Sequence, residues 1–297
     1  MTIFFNQDHR LRNGWWVLIF IFIGFVAATG FAFVPLGRGL KNLGVPGHWL
    51  QPVPFIISLL VTWACTRLRK EPLSSVGFRF DARWAQEIAW GTLLGMGVML
   101  AAAGMVWATG GVRFELDPAR SLKTLSYGAY VFLFVALVEE NLFRGFLFQR
   151  LLDGTGVWIT QIVLALFFAF AHWGNPGMHG ATKIWATINI ALAAVFLGLA
   201  YLRTRSLALP IGIHLGWNWM QGSVLGFGVS GTAGKGWIQP LFQGKPEWLT
   251  GGTFGLEASV FGVVAVLIAI ALLWKWKGSI AGPGDAPASE LLNPESA

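Results

Sequence analysis

Long apolar runs dominate the chain, broken at short intervals by clusters of arginine, glycine and proline. Eight runs, roughly 15–36, 49–67, 86–110, 127–149, 157–173, 183–203, 207–227 and 257–276, lie near the length a bilayer-spanning helix requires. The pattern therefore predicts an all-α fold, a polytopic transmembrane helical bundle of about eight spans. The first run is too long for the apolar part of a cleavable signal and reads as a first membrane helix. The second opens on Gln51-Pro52-Val53-Pro54, and proline is tolerated in a first helical turn. The fifth run is short; the sixth is uninterrupted; the seventh is glycine-rich and carries polar groups. A single transmembrane domain over 1–277 is expected, followed by a disordered tail over 278–297 that is rich in glycine, proline, serine and glutamate.

Composition agrees with a membrane protein. Hydrophobic residues make up 55% and charged residues 12% of the 297 positions, against about a quarter charged in soluble domains. The net charge of +7 is explained most simply by lysine and arginine held on the cytoplasmic side. With the N-terminus inside, 13 of the 21 basic residues fall in inner segments, including Arg67, Arg69, Lys70, Arg150, Arg203 and Arg205. Both termini are thus expected in the cytoplasm and the chain in the cell membrane. Many tryptophans sit near proposed span ends, as an interfacial belt requires. No basic, aromatic-interleaved patch points to nucleic acid, so the expected partners are the lipid bilayer and a membrane-associated peptide or protein substrate. The single cysteine, Cys65, lies in an apolar run and reads as a small buried hydrophobe. The long, glycine-rich segment from about 228 to 255 is expected to be a flexible outer loop, with a re-entrant or substrate-access element as the alternative.

Three spans carry polar groups that lipid does not tolerate cheaply. The fourth holds Glu139, Glu140 and Arg144. Glu140 and Arg144 stand at i, i+4 and share a face, which supplies Glu140 with a cation. Glu139 projects about 100° away on the helical wheel and is left for a reaction. A purely structural ion cluster is the alternative. The fifth span ends at His172, and a tight turn at Asp153-Gly154-Thr155-Gly156 would fold it back beside Glu139. The seventh contains His214-Leu-Gly-Trp-Asn218, whose histidine and asparagine face the same way. The alternative for these two is polar glue between helices, which is also the reading for Asn189. Asn141 follows the glutamates and could support them. His9, His48 and His179 read as solvated surface residues.

A glutamate, two imidazoles and a carboxamide suit amide hydrolysis. Glu139, assisted by His172, can take a proton from water, and His214 with Asn218 can donate to an oxyanion. No Gly-x-Ser-x-Gly elbow, Ser–Lys pair or partnered cysteine is present, which disfavours a covalent route. Glu139, His172 and His214 are equally a candidate ligand set for a divalent metal such as zinc. A non-catalytic membrane scaffold or immunity factor is the main competing class. A proton-coupled transporter is less favoured, because no two matching halves with broken helices are visible.

Glu139-Glu140-Asn-Leu-Phe-Arg144, Phe168-Ala-Phe-Ala-His172 and His214-Leu-Gly-Trp-Asn218 together resemble the motifs of the CAAX-processing and bacteriocin-processing (Abi, or CPBP) intramembrane proteases. The similarity covers about 127–225. It implies an all-helical membrane fold with a cavity open to the cytoplasm. It implies Glu139 and His172 as water activators, and His214 with Asn218 as oxyanion stabilisers, in agreement with the helical-wheel division. Glu140 and Arg144 would support them. Members are commonly labelled metalloproteases. Eukaryotic relatives remove the last three residues of prenylated CAAX proteins, and some bacterial members are linked to bacteriocin maturation or self-immunity.

Overall fold

The computed structural model describes residues 3–6, 11–26 and 33–278. The C-terminal tail from 279 onward, and His9, lie outside the described residues. The chain divides into two compact units, one of residues 1–80 with 134–160, the other of 81–133 with 161–297.

The first unit contains helices α1 (Asn13–Val26), α2 (Phe33–Asn42) and α3 (Pro52–Leu68). Proline opens α3, as expected, because its missing N–H has no helical partner at that position anyway. The end of α5 (Leu122–Arg144) and the first part of α6 (Phe146–Ala171) also belong here. Phe146 is fully buried and stacks on Phe20 of α1 at 5.2 Å between ring centroids. Phe55 of α3 meets Phe78 and Phe134, each at 6.4 Å.

The second unit is built on α4 (Ala82–Ala108), α7 (Gly180–Thr204), α8 (Ala208–Trp219) and α10 (Val260–Lys275). Asp81 caps α4 by accepting from the Trp84 N–H at 2.8 Å, and Ser259 caps α10 by accepting from Gly262 at 2.9 Å. Each side chain satisfies a backbone donor that the first helical turn leaves over. Met99, Ala102, Val106, Phe196, Ala200, Ile213 and Val266 form the buried core of these four helices.

Two expectations are corrected. The fold is mostly helical, as expected, but carries one small sheet. Strand β1 (Val112–Leu116) pairs antiparallel with β2 (Ile238–Phe242), in a register that sets Val112 against Phe242 and Leu116 against Ile238. The segment 228–255 is accordingly structured, with β2 followed by the single-turn helix α9 (Glu247–Thr250). Alternation was hard to see in Ile238-Gln-Pro-Leu-Phe242, where a proline sits mid-strand; an edge position tolerates it. Nor are eight spans confirmed. Among the described residues, four helical runs are long and apolar enough to cross a membrane: Gly47–Leu68, Ala82–Ala108, Leu122–Ala171 and Gly180–Thr204. The third of these joins the two spans expected at 127–149 and 157–173. It is interrupted at Gly156, whose φ of 79° and ψ of 176° are accessible to glycine. The break falls at the last residue of the expected Asp153–Gly156 turn. Asn13–Gly24 and Val260–Lys275 are apolar but shorter.

Candidate active site

The predicted residues fall into two groups, one in each unit. Glu139, Glu140 and Arg144 lie in the first; His172, His214 and Asn218 lie in the second.

In the first group, the i, i+4 spacing on α5 does what it predicts. The Arg144 Nη1 donates to Glu140 Oε1 at 3.1 Å, with the two side chains 2% and 0% exposed. That degree of burial is costly for an ion pair and is weak support for stability. The ion pair ties the two side chains to each other across one turn of α5. Asn141, also fully buried, accepts a hydrogen bond from Thr62 Oγ1 at 3.0 Å, which ties α5 to α3. The helix closes with the Gly145 N–H donating to the Glu140 carbonyl at 3.1 Å. A Cβ at Gly145 would collide with the Asn141 carbonyl, which makes glycine the residue that fits. Glu139 is half-buried. It lies within electrostatic range of Arg144, so the helical-wheel division needs adjustment. Arg144 hydrogen-bonds Glu140 but acts on both carboxylates.

Sequence reasoning missed a second ionic cluster in this unit. Glu71, just past the end of α3, receives Arg69 at 3.0 Å and Arg150 of α6 at 3.6 Å, and Arg150 also reaches Asp153 at 3.3 Å. From the sequence, Arg69 and Arg150 read only as cytoplasmic positive charge and Asp153 only as part of a turn.

In the second group, His172 closes α6. Its Nδ1 lies 2.7 Å from the Phe168 carbonyl oxygen. A carbonyl can only accept, so Nδ1 carries a proton and Nε2 is left for chemistry. Phe168, four residues earlier, packs its ring 4.7 Å from the imidazole. The Phe-x-x-x-His spacing thus serves to orient the histidine.

His214 and Asn218 are both buried on α8. What places α8 is glycine. A Cβ at Gly95 of α4 would strike the Ile213 carbonyl, and one at Gly91 would come to 2.9 Å from the Ile213 nitrogen. From the other side, Cβ atoms at Gly212 and Gly216 would strike the carbonyls of Ile88 and Thr92. The two helices touch backbone to backbone through paired small-xxx-small faces, the arrangement that substitutes in lipid for a hydrophobic driving force. Beyond Asn218 the helix widens into a π-turn over Met220–Val224, with the Leu225 N–H donating to the Met220 carbonyl at 2.8 Å. Such bulges are frequent at functional sites. The Trp219 indole donates to the Leu125 carbonyl of α5 at 3.0 Å and fixes this turn.

Glu257 was also missed. It is 5% exposed, receives the Trp217 indole, the Ser230 N–H and the Ser230 hydroxyl, and lies within electrostatic range of His172. Its signal was available: a carboxylate at the head of the apolar run 257–276. Asn189 is fully buried and packs its amide against Gly262 of α10. His48 and His179 are exposed.

Among the described residues, neither unit gathers three His, Cys, Asp or Glu side chains that could hold a metal ion. The candidate ligand set read from the sequence, Glu139, His172 and His214, divides between the units.

Residues 121–220 match the family described as Rce1-like, type II CAAX prenyl endopeptidase. Every predicted site residue lies within that segment. No curated protein matches the chain, and no solved structure does.

Proposed function

From the assignment of residues 121–220 to the Rce1-like CAAX protease family, we propose that the protein is an intramembrane endopeptidase that hydrolyses a peptide bond of a prenylated or otherwise membrane-associated substrate. The family match carries this reading, since one continuous segment holds all three polar motifs in order. The local geometry supports it. The spacing within each motif has a physical consequence. The first makes an ion pair, the second tethers an imidazole, and the third sets a histidine and an amide on one helix face.

In the proposed reaction Glu139 accepts a proton from water and the oxygen attacks the scissile carbonyl carbon. His172, tethered through Nδ1, presents Nε2 to the same water. The carbonyl π electrons move to oxygen, and His214 and Asn218 donate hydrogen bonds to the resulting oxyanion. Collapse breaks the C–N bond, and the proton held by Glu139 passes to the leaving nitrogen. The products are a carboxylate and an amine. Glu140 and Arg144 take no part in proton transfer; their pair holds the helix that bears Glu139.

The test is cleavage of a prenylated membrane peptide by the purified protein and by Glu139→Gln. General-base catalysis contributes about 10²–10⁴-fold, so a loss within that range is expected. Wild-type activity retained in the variant would refute the assignment. Chelation with metal analysis on the same preparation separates the two ways of activating water. Activity lost on chelation and restored by added metal assigns the step to a metal-bound water, and activity that persists assigns it to Glu139 with His172.

A further inference from the structure

Three segments of the second unit must hold their places for His172, His214 and Asn218 to act together: the turn after α6, the loop at 226–232, and α8. One buried carboxylate links all three. Glu257 Oε2 accepts from the Ser230 N–H at 2.6 Å and from the Ser230 hydroxyl at 2.9 Å. Its Oε1 accepts from the Trp217 indole at 3.3 Å. Ser230 is itself the relay to His172. The Ser230 carbonyl accepts from the Asn175 amide at 3.0 Å, and the Asn175 N–H donates to the His172 carbonyl at 3.0 Å. Trp217 immediately precedes Asn218 and is three residues past His214 on α8.

The surroundings are built to keep the carboxylate there. Ser230 adopts φ 47°, an unusual conformation for a side-chain-bearing residue. The Gly231 N–H donates to the Phe254 carbonyl at 3.0 Å. A Cβ at Gly255 would collide with the Gly228 carbonyl and come to 2.7 Å from the Gln221 amide. The chain before Glu257 is thereby pressed against the loop it grips. Strain of this kind persists where surrounding contacts over-determine it, and it clusters at working sites.

We propose that Glu257 is a positioning residue of the protease: through Ser230–Asn175 on one side and Trp217 on the other, it sets the His172 end of α6 against the His214–Asn218 face of α8. The inference rests on the protease reading given above. Glu257 touches no substrate. It acts by fixing two groups whose separation must be right to within a fraction of an ångström for water attack and oxyanion capture to coincide.

The experiment uses the full chain in lipid nanodiscs with a prenylated peptide substrate. In Glu257→Gln the amide oxygen can still accept from Ser230, but the NH₂ then faces the Trp217 indole N–H, donor against donor. A fall in kcat of about tenfold or more is expected with KM within about twofold, because small misplacements remote from the reacting atoms cost up to ~100-fold. In a Trp217→Phe background the donor clash is gone, and the same substitution should cost less than about threefold. Selectively labelled His172 should show shifted imidazole resonances in Glu257→Gln at unchanged melting temperature. Two results overturn the proposal: wild-type kcat in Glu257→Gln, or an equal loss in both backgrounds that follows melting temperature. If the wild type cleaves nothing, the protease reading fails separately. The His172 resonances then decide the positioning claim, and unshifted resonances overturn it.

Discussion

Arg144 is almost completely enclosed and meets Glu140 on its own helix. Two charges withdrawn from water add little net stability as a pair, but removing one strands the other. Arg144→Ala is therefore expected to destabilise the protein by about 3–5 kcal/mol. A double change, Glu140→Gln with Arg144→Met, should recover most of that loss. Chemical or thermal unfolding in detergent measures both; a single variant as stable as the parent would remove the ion pair from the folding argument. This pair was fully legible in the sequence, because i, i+4 contacts depend on one helix alone. Glu257 shows the limit. Its partners are 27 and 40 residues away along the chain, and no periodicity links them. A lone carboxylate heading an apolar run is a visible oddity; which indole and which hydroxyl it meets is settled by folding. Arg144 also tempers the helical-wheel argument, since a guanidinium reaches far enough to act on two neighbouring carboxylates.

Helix α8 owes its position to four glycines, and the element-scale predictions follow from which side of a helix each glycine faces. Gly95→Leu would drive a side chain into the α8 backbone at Ile213 and Trp217. Overpacking of this kind costs about 1–3 kcal/mol, and the displaced helix carries His214 and Asn218, so activity should fall more than stability. Gly97 and Gly104, on the same helix, have nothing within reach of an added Cβ. Gly97→Ala should be neutral or slightly stabilising, since glycine is about 1 kcal/mol poorer than alanine in a helix. Parallel melting curves and cleavage rates for the two variants check the contrast; equal damage would show that the α4–α8 contact is not what holds the site. The sequence showed glycine-rich spans but could not pair them, because more than a hundred residues separate Gly95 from Gly212.

The hairpin-like contact between β1 and β2 has a similar cause and its own test. Asp117 accepts from the Ala119 N–H at 2.7 Å and from the Gln239 amide at 2.6 Å. These bonds, led by the Ala119 N–H and helped by Arg120, hold its carboxyl below the usual carboxylate range. A depressed folded-state value means that the contribution is present above the unfolded-state value and fades as pH falls through the folded one. Acidification below the ordinary carboxylate range should thus lower the melting temperature of the wild type relative to Asp117→Asn, which cannot titrate. Parallel pH profiles for the two proteins would contradict this account.

At the scale of the whole chain, the strand pairing constrains topology more tightly than charge counting does. β1 and β2 are hydrogen-bonded, so both must lie on one side of the bilayer, and the chain between residues 116 and 238 must cross an even number of times. Between the strands, Leu122–Ala171 and Gly180–Thr204 are long and apolar enough to cross, and the pairing requires the crossings in this interval to total an even number. The α8 segment is 12 residues long before its π-turn, shorter than a bilayer-spanning helix requires. Gly212 and Gly216 seat it against α4. By the positive-inside rule, the connection between α3 and α4, which carries Arg67, Arg69, Lys70, Arg79 and Arg83, is expected in the cytoplasm. One traverse of α4 would then put the sheet outside. The lone cysteine makes this measurable, since Cys65 is buried and its replacement by alanine leaves a cysteine-free background. In intact cells, an impermeant maleimide should label Gly244→Cys beside β2, and should label Lys70→Cys only after permeabilisation. Labelling of both from the same side would break the crossing count. The reverse pattern would keep the count and invert the chain.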